Sequence, residues 1–255
     1  MNKKLILFDI DGTIVCYKSG EYIPDSTVKA IRLLQKNGHH VAVATGRSLY
    51  TSKSIMKKLD IKTGILHDGA QIISNSKTLF ERKIRRDVSR KLCRILSGTA
   101  LSVFAFDGEG IYSHNMSPEV KNYLEEQAEE RDFIKQLNAS MNSLFSIYIF
   151  GKQEDIPIDF TKYKSLTFDQ NLYELASKGI SKGTALVKLA GSLNIDMEDT
   201  VAIGDGLNDI ELLRTANIGI AVGSACDELK QASDMVTGDI ENGGIYNAFR
   251  ELKLI

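Results

Sequence analysis

Long apolar runs are missing from this chain of 255 residues. The run that opens at Leu5 stops at Asp9, and no stretch approaches the roughly 20 residues that a bilayer span requires. The opening MNKKLILFDIDG sets lysines before apolar residues, as a secretory leader does, yet the run is too short for a leader's apolar core. Cysteine is scarce too. Cys16, Cys93 and Cys226 are scattered, with no CxxC pair, which predicts reduced thiols and a cytoplasmic setting. Nor is there an excess of one charge: 32 Lys and Arg stand against 33 Asp and Glu. A net charge near −1 supplies no global field for nucleic acid or an anionic membrane.

Several signatures are absent as well. No GxxxxGK[ST] occurs, which excludes a Walker-type nucleotide site, and no GxGxxG follows a strand. The histidines (His39, His40, His67, His114) lack metal-ligand spacing, and His39 and His40 are expected to flank a strand in solvent. Neither aspartate cluster has EF-hand spacing, because Gly12 comes too early and Leu207 sits where a ligand is needed. The basic stretch from Arg82 to Arg94 has no interleaved aromatics and reads as a solvated helix face.

What is present is an α/β rhythm. LILF, HVAVATG and TGILHDGAQIIS read as strands, separated by helical patterns in DSTVKAIRLLQKNG, where Asp25 or Ser26 can cap, and in SIMKKLD. After Thr200 the alternation returns through TVAIGDG, LNDIELLRTA, NIGIAVG, ACDELKQAS, DMVTG and GGIYNAFRELK. Strands alternating with such helices predict right-handed βαβ units and a Rossmann-like, mainly parallel sheet. The middle differs: a helix in KIRRDVSRKLCRILSG, a hairpin about Asp107-Gly108, a long charged helix in SPEVKNYLEEQAEERDFIKQL, then two further strand regions. We therefore expect a discontinuous core of residues 1–81 and 180–255, with an inserted α+β domain over 82–179.

Polar groups collect where strands end. LILFDIDGT places Asp9 and Asp11 two apart after a buried run, so in extended chain both face one way. Asp-Gly is also ordinary turn chemistry, and this motif alone does not decide. AVATGR ends a second strand with Thr45, Gly46 and Arg47. Thr45 reads either as a helix cap or, with its hydroxyl and the Arg47 fork, as an anion site. VAIGDGLND ends another with Asp205, Asn208 and Asp209. GISKGTAL matches GxSxG, but all four histidines precede Ser181, against the order that a serine hydrolase needs. Ser181 then reads as a helix cap, leaving Lys182 in the first turn. A cation there opposes the helix dipole, so Lys182 is either a surface lysine or a partner for an anion.

If Asp9, Asp11, Asp205 and Asp209 meet at one rim, they need a cation. Two unit charges about 4 Å apart repel by roughly 4 kcal/mol at an effective dielectric near 20. Carboxylate and water oxygens point to a hard ion, Mg²⁺ before Ca²⁺. With Lys182 and Arg47 alongside, the set suits a phosphate dianion and phosphoryl transfer.

DIDGT, ATGR, SKGTAL and GDGLND together, in this order, resemble the four motifs of the haloacid dehalogenase-like superfamily, in particular Cof-type phosphatases with a large α+β cap of the C2B type. The resemblance covers nearly the whole chain. It implies an aspartyl-phosphate on Asp9 as nucleophile, and Asp11 as the acid that protonates the leaving oxygen and then the base that activates water. It also implies Thr45 and Lys182 on the phosphoryl oxygens, with Gly12, Gly46, Arg47 and Asn208 in phosphate binding. Mg²⁺ would be held by Asp9, the Asp11 main-chain carbonyl and Asp205, with Asp209 in support. The implied activity is hydrolysis of a small phosphorylated metabolite, a sugar phosphate or phosphorylated cofactor, by a cytoplasmic monomer or weak homodimer without nucleic-acid or membrane partners. A phosphomutase and a non-catalytic sensor of phosphorylated ligands are the alternatives. Two positions depart from the family pattern: Asp68 stands where asparagine is usual, and Ser224 replaces another asparagine.

Overall fold

The computed structural model describes residues 3–17, 20, 22–108, 110–118, 121, 134–138, 142–169 and 171–255. Its strands are, in chain order, β1 (Leu5–Phe8), β2 (His40–Ala44), β3 (Thr63–Leu66), β4 (Gln71–Ser74), β5 (Lys77–Glu81), β6 (Ser102–Phe106) and β7 (Ile111–His114). There follow β8 (Ile134–Gln136), β9 (Ser146–Phe150), β10 (Lys164–Asp169), β11 (Leu172–Ala176), β12 (Thr200–Gly204), β13 (Ile218–Ala221) and β14 (Met235–Val236). The chain divides into two compact units. One holds Met1–Gly46, Ser54–Phe80 and Ser181–Ile255; the other holds Arg47–Lys53 and Glu81–Ile180.

The first unit is built on an eight-stranded sheet of order β14-β13-β12-β1-β2-β3-β4-β5. From β14 to β3 every pair is parallel. Its central strand, Leu-Ile-Leu-Phe, is wholly buried, as expected for a parallel strand covered on both faces, where the sequence reads as a continuous apolar run. The register sets Phe8 level with Ile203 of β12 and with Val43 of β2. The residues that follow these strands therefore emerge at one edge, the carboxyl edge where open α/β sheets hold ligands. The parallel-sheet α/β class predicted above is the one observed.

Local chemistry departs from expectation in several places. Helix Asp25–Lys36 buries Thr27, Ala30, Ile31 and Leu34, but neither Asp25 nor Ser26 caps it. Pro24 holds the N-cap position with no side-chain bond, and its carbonyl accepts from the amides of Thr27 and Val28. His39 and His40 are not in solvent. The His39 ring is buried and its Nδ1 accepts from the Lys4 amide at 3.2 Å, while the His40 ring shares a hydrogen bond with Thr63. Burial lowers the pKa of both imidazoles. TGILHDGAQIIS is two strands, not one. After β3 the chain turns at His67–Gly69 and returns antiparallel as β4. It turns again at Asn75 and Ser76, both at positive φ, into the edge strand β5.

The second unit carries a six-stranded sheet of order β10-β11-β9-β6-β7-β8, antiparallel except for β7 with β8. Helix Arg86–Leu96 turns Leu92, Cys93 and Leu96 onto one face, in a cluster with Val103, Ile147 and Leu175. The alternate residues Phe104, Phe106, Ile111, Tyr148 and Leu172 form a second cluster, in which Phe104 stacks on Tyr148 at 4.5 Å between centroids. The hairpin about Asp107-Gly108 is present, with Asp107 Oδ1 accepting from the Gly110 amide at 3.1 Å. Most of the charged helix expected from SPEVKNYLEEQAEERDFIKQL lies outside the described residues. Its last part, Ile134–Gln136, is the strand β8 and not helix.

Candidate active site

Three carboxylates converge at the carboxyl edge of the large sheet. One oxygen from each of Asp9, Asp205 and Asp209 lies within 4.8 Å of the other two. Backbone geometry brings them there. Asp9 follows β1, with its amide bonded to the Ile203 carbonyl at 2.9 Å. Asp205 follows β12, and its loop folds back so that Asp209 Oδ2 accepts from the amides of Asp205 and Gly206, both at 3.1 Å. Glycine is required where the two loops meet. At Gly12, with φ +76°, a Cβ would stand 2.2 Å from Asp205 Oδ2.

Lys182 closes the cluster from below. It is the first residue of helix Lys182–Leu193, which Ser181 caps by accepting from the Thr184 amide. The reading of GISKGTAL as a helix start therefore holds, while that of a surface lysine does not. The side chain is fully buried, with Nζ 2.7 Å from Oδ1 of Asp9, 2.7 Å from Oδ1 of Asp209 and 3.9 Å from Oδ1 of Asp68. Two carboxylates in contact offset the helix dipole that a cation there opposes.

These neighbours shift one another's protonation. Burial, and then the charges of Asp209, Asp205 and Asp11, raise the Asp9 carboxyl, although Lys182 pulls the other way. Burial and Asp209 push Asp205 up to about 7, against the hydrogen bond that its Oδ1 receives from Thr13 Oγ1 at 3.0 Å. Burial works against the Lys182 ammonium, but Asp209, Asp9 and Asp68 outweigh it and raise its pKa. The cluster is short of positive charge even with Lys182 in place. Its donors are all carboxylate oxygens, without His or Cys, and the glycine cradle keeps Asp205 open beside Gly12. These residues fit a hard divalent cation such as Mg²⁺.

The other predicted residues fall as follows. Thr45 is buried just after β2. It does not cap the next helix, which starts at Leu49, since Ser48 Oγ accepts from the Thr51 amide at 3.1 Å. The Thr45 amide donates to Ile65 and its carbonyl accepts from the Asp68 amide at 3.0 Å, and Gly46 lies beside the Asp68 carboxylate. Arg47 belongs to the second unit, and its Nη1 donates to the Thr51 carbonyl at 3.0 Å. Asp11 is partly exposed in the turn where the Gly12 amide meets the Val15 carbonyl, and it accepts from the Tyr17 hydroxyl. Asn208 Nδ2 donates to Asp68 Oδ1 at 3.0 Å. Sequence reasoning passed over Thr13, whose hydroxyl orients Asp205; the signal was its place as the last letter of DIDGT. Tyr17 carried no signal.

Comparison with known proteins gives the class that this geometry suggests. The model of the haloacid dehalogenase-like hydrolase family matches residues 6–249, so the chain belongs to that family. YkrA of Bacillus subtilis (strain 168) is 30% identical over 258 residues, covering 100% of both chains. The 5-amino-6-(5-phospho-D-ribitylamino)uracil phosphatase YcsE of the same organism is 26% identical, over 97% of this chain and 94% of its own. A solved structure from Geobacillus kaustophilus HTA426 superposes with a TM-score of 0.89 at 26% identity, over 100% of both chains.

Proposed function

We propose that this hydrolase is a Mg²⁺-dependent phosphatase of a small phosphorylated metabolite, working through a phosphoryl group carried transiently on Asp9. That it is an enzyme of the phosphatase class follows from its family and relatives. The observation that carries the finer reading is the buried contact of Lys182 with Asp9 inside a three-carboxylate cluster. Such a site has one carboxylate to attack, one cation to neutralise a phosphoryl oxygen, and a seat for a metal.

In this reading an Asp9 oxygen attacks phosphorus, the ester P–O bond breaks, and Asp11 gives its proton to the departing oxygen. Water then attacks the same phosphorus and passes a proton to Asp11, and the bond to Asp9 breaks to release phosphate. Splitting one displacement in two lets a single pair of carboxylates serve both halves. Lys182, Thr45, Asn208 and the backbone at Gly12 and Gly46 hold the phosphoryl oxygens. Asp9, the Asp11 carbonyl and Asp205 would hold Mg²⁺, with Asp209 fixing the loop behind them. When bound, the ion offsets charge on the transferring group. Phosphoryl transfer depends mainly on such positioning and neutralisation. Asp11 is partly exposed and so borders solvent, as an acid that must be reset each turnover requires. Reduced thiols favour the cytoplasm as its setting.

The test is phosphate release from a panel of phosphorylated sugars and cofactors, with Mg²⁺ and with chelator. Asp9→Asn is expected to lose at least about a thousandfold in kcat, on the order expected for a covalent nucleophile. Full activity in that variant would refute the mechanism. An isomerised phosphoester in place of free phosphate would reassign the chain to transfer between hydroxyls.

A further inference from the structure

One buried carboxylate at this edge has no role in the chemistry above. Asp68 is about 2% exposed. Its Oδ1 accepts from Asn208 Nδ2 at 3.0 Å and lies 3.9 Å from Lys182 Nζ, and among the described residues its Oδ2 has no hydrogen-bond partner. Burying a carboxylate oxygen without a donor is costly. The backbone is costly as well, since His67 and Asp68 both take left-handed conformations, at φ +49° and +50°. Non-glycine residues avoid that region, and such strain collects at functional sites. The segment is held nonetheless, because the Asp68 amide donates to the Thr45 carbonyl at 3.0 Å. One residue is thus tied to the β2 loop by its backbone and to the β12 loop by its side chain.

We infer that Asp68 is a positioning residue that orients the Asn208 side-chain amide for the phosphoryl group, an inference that rests on the function proposed above. The chemistry of the pair carries the argument. An ionised carboxylate only accepts, whereas an amide offers a donor end and an acceptor end of nearly equal shape. Opposite an asparagine, Asn208 could turn either end inward. Opposite Asp68, it is Nδ2 that faces the partner. The carbonyl end is then turned back toward Gly206, where a Cβ would lie 2.9 Å from Asn208 Oδ1. The second hydrogen of Nδ2 is thereby fixed in direction. A fixed donor stabilises developing charge better than one that must reorient.

The experiment is a double-mutant cycle on the full chain with Asp68→Ala, Asn208→Ala and both together, plus Asp68→Asn. Each single alanine variant is expected to lower kcat/KM about tenfold, less than the roughly hundredfold or more that losing an oxyanion-hole donor costs. The double variant should lie within about threefold of the worse single, because both remove the same aligned amide. Asp68→Asn retains an acceptor and should fall between wild type and Asp68→Ala. Losses that multiply to about a hundredfold in the double variant would overturn the inference, as would singles with no loss. An independent readout is the Asn208 side-chain amide resonance pair of ¹⁵N-labelled protein, assigned by its loss in Asn208→Ala. It should be shifted and exchange-protected in wild type, and ordinary in Asp68→Ala. An amide pair unchanged by Asp68→Ala sinks the inference whatever the activity. Wild type without phosphate release, but with the protected amide, sinks the proposed function alone.

Discussion

At the scale of single residues, Lys182 decides whether the carboxylates hold together as a site. A fully buried ammonium between Asp9 and Asp209 leaves two buried charges unpaired when it is removed. Breaking a buried ion pair from one side costs about 3–5 kcal/mol. Lys182→Met should therefore lower unfolding free energy by about that much in chelator, as read by urea denaturation, and abolish phosphate release. A cost below about 1 kcal/mol would mean that Lys182 contributes charge to the ligand alone and nothing to the fold. Much of this site was legible in the residues, because Asp9, Asp205, Asp209 and Lys182 all sit directly after buried runs or at a helix start. Strand ends and helix starts are positions that local pattern fixes. Side-chain partners across loops were not legible. Nothing in the spacing of Thr13, Asp68 or Asn208 says that the first bonds Asp205 or that the other two bond each other. Those contacts depend on how separate loops meet, which is a property of the folded sheet edge.

The elements explain where pattern succeeded and where it failed. Ser181 was readable because a cap is a local device: side chain to amide three residues on, within one turn. Here both halves of the box are made, since the Ser181 amide also donates to Thr184 Oγ1 at 3.0 Å. Ser181→Ala is expected to cost about 1 kcal/mol of stability, within the usual range of 0.5–2 kcal/mol for cap loss. It should also lower activity moderately, because the cap sets where Lys182 begins. Ser181→Thr keeps the acceptor and should recover most of both; equal losses in the two variants would show that the cap is not what matters. At Asp25 the same logic misled, because Pro24 occupies the cap position and supplies only its carbonyl to the first turn. The turns at His67–Gly69 and Asn75–Ser76 escaped notice for a related reason. Non-glycine residues at positive φ carry weak sequence signals, and the hairpin turn most readily seen in sequence ends in glycine.

For the whole molecule, the raised carboxyls couple folding to pH and, under the proposed function, to metal. Asp205 titrates near 7 in the folded, metal-free chain against about 3.9 for an unfolded aspartate. Between those values the native state holds a proton that the unfolded chain has released. Stability therefore falls as pH rises through about 4 to 7 and levels off above. Three units at about 1.4 kcal/mol each bound this at roughly 4 kcal/mol. Lys182, raised above its ordinary value by the carboxylates of Asp209 and Asp9, stays charged throughout and adds no slope in this window. The Asp205 contribution alone should thus make the melting temperature in chelator several degrees lower at pH 8 than at pH 5, measured by calorimetry. His39 and His40, lowered by burial, act in the opposite direction. In the proposed site Mg²⁺ would compete with protons for the same oxygens. It should restore stability at pH 8 by mass action on the folded state and do little at pH 5. Asp205→Asn separates this site from the background of other titrating groups. It removes the group that must ionise, so its melting temperature in chelator should be flatter with pH and should not respond to Mg²⁺ at pH 8. An Asp205→Asn protein that kept both the wild-type slope and the wild-type response to Mg²⁺ would move the metal away from this cluster. Lys182 would then remain without the second cation on which the proposed chemistry depends.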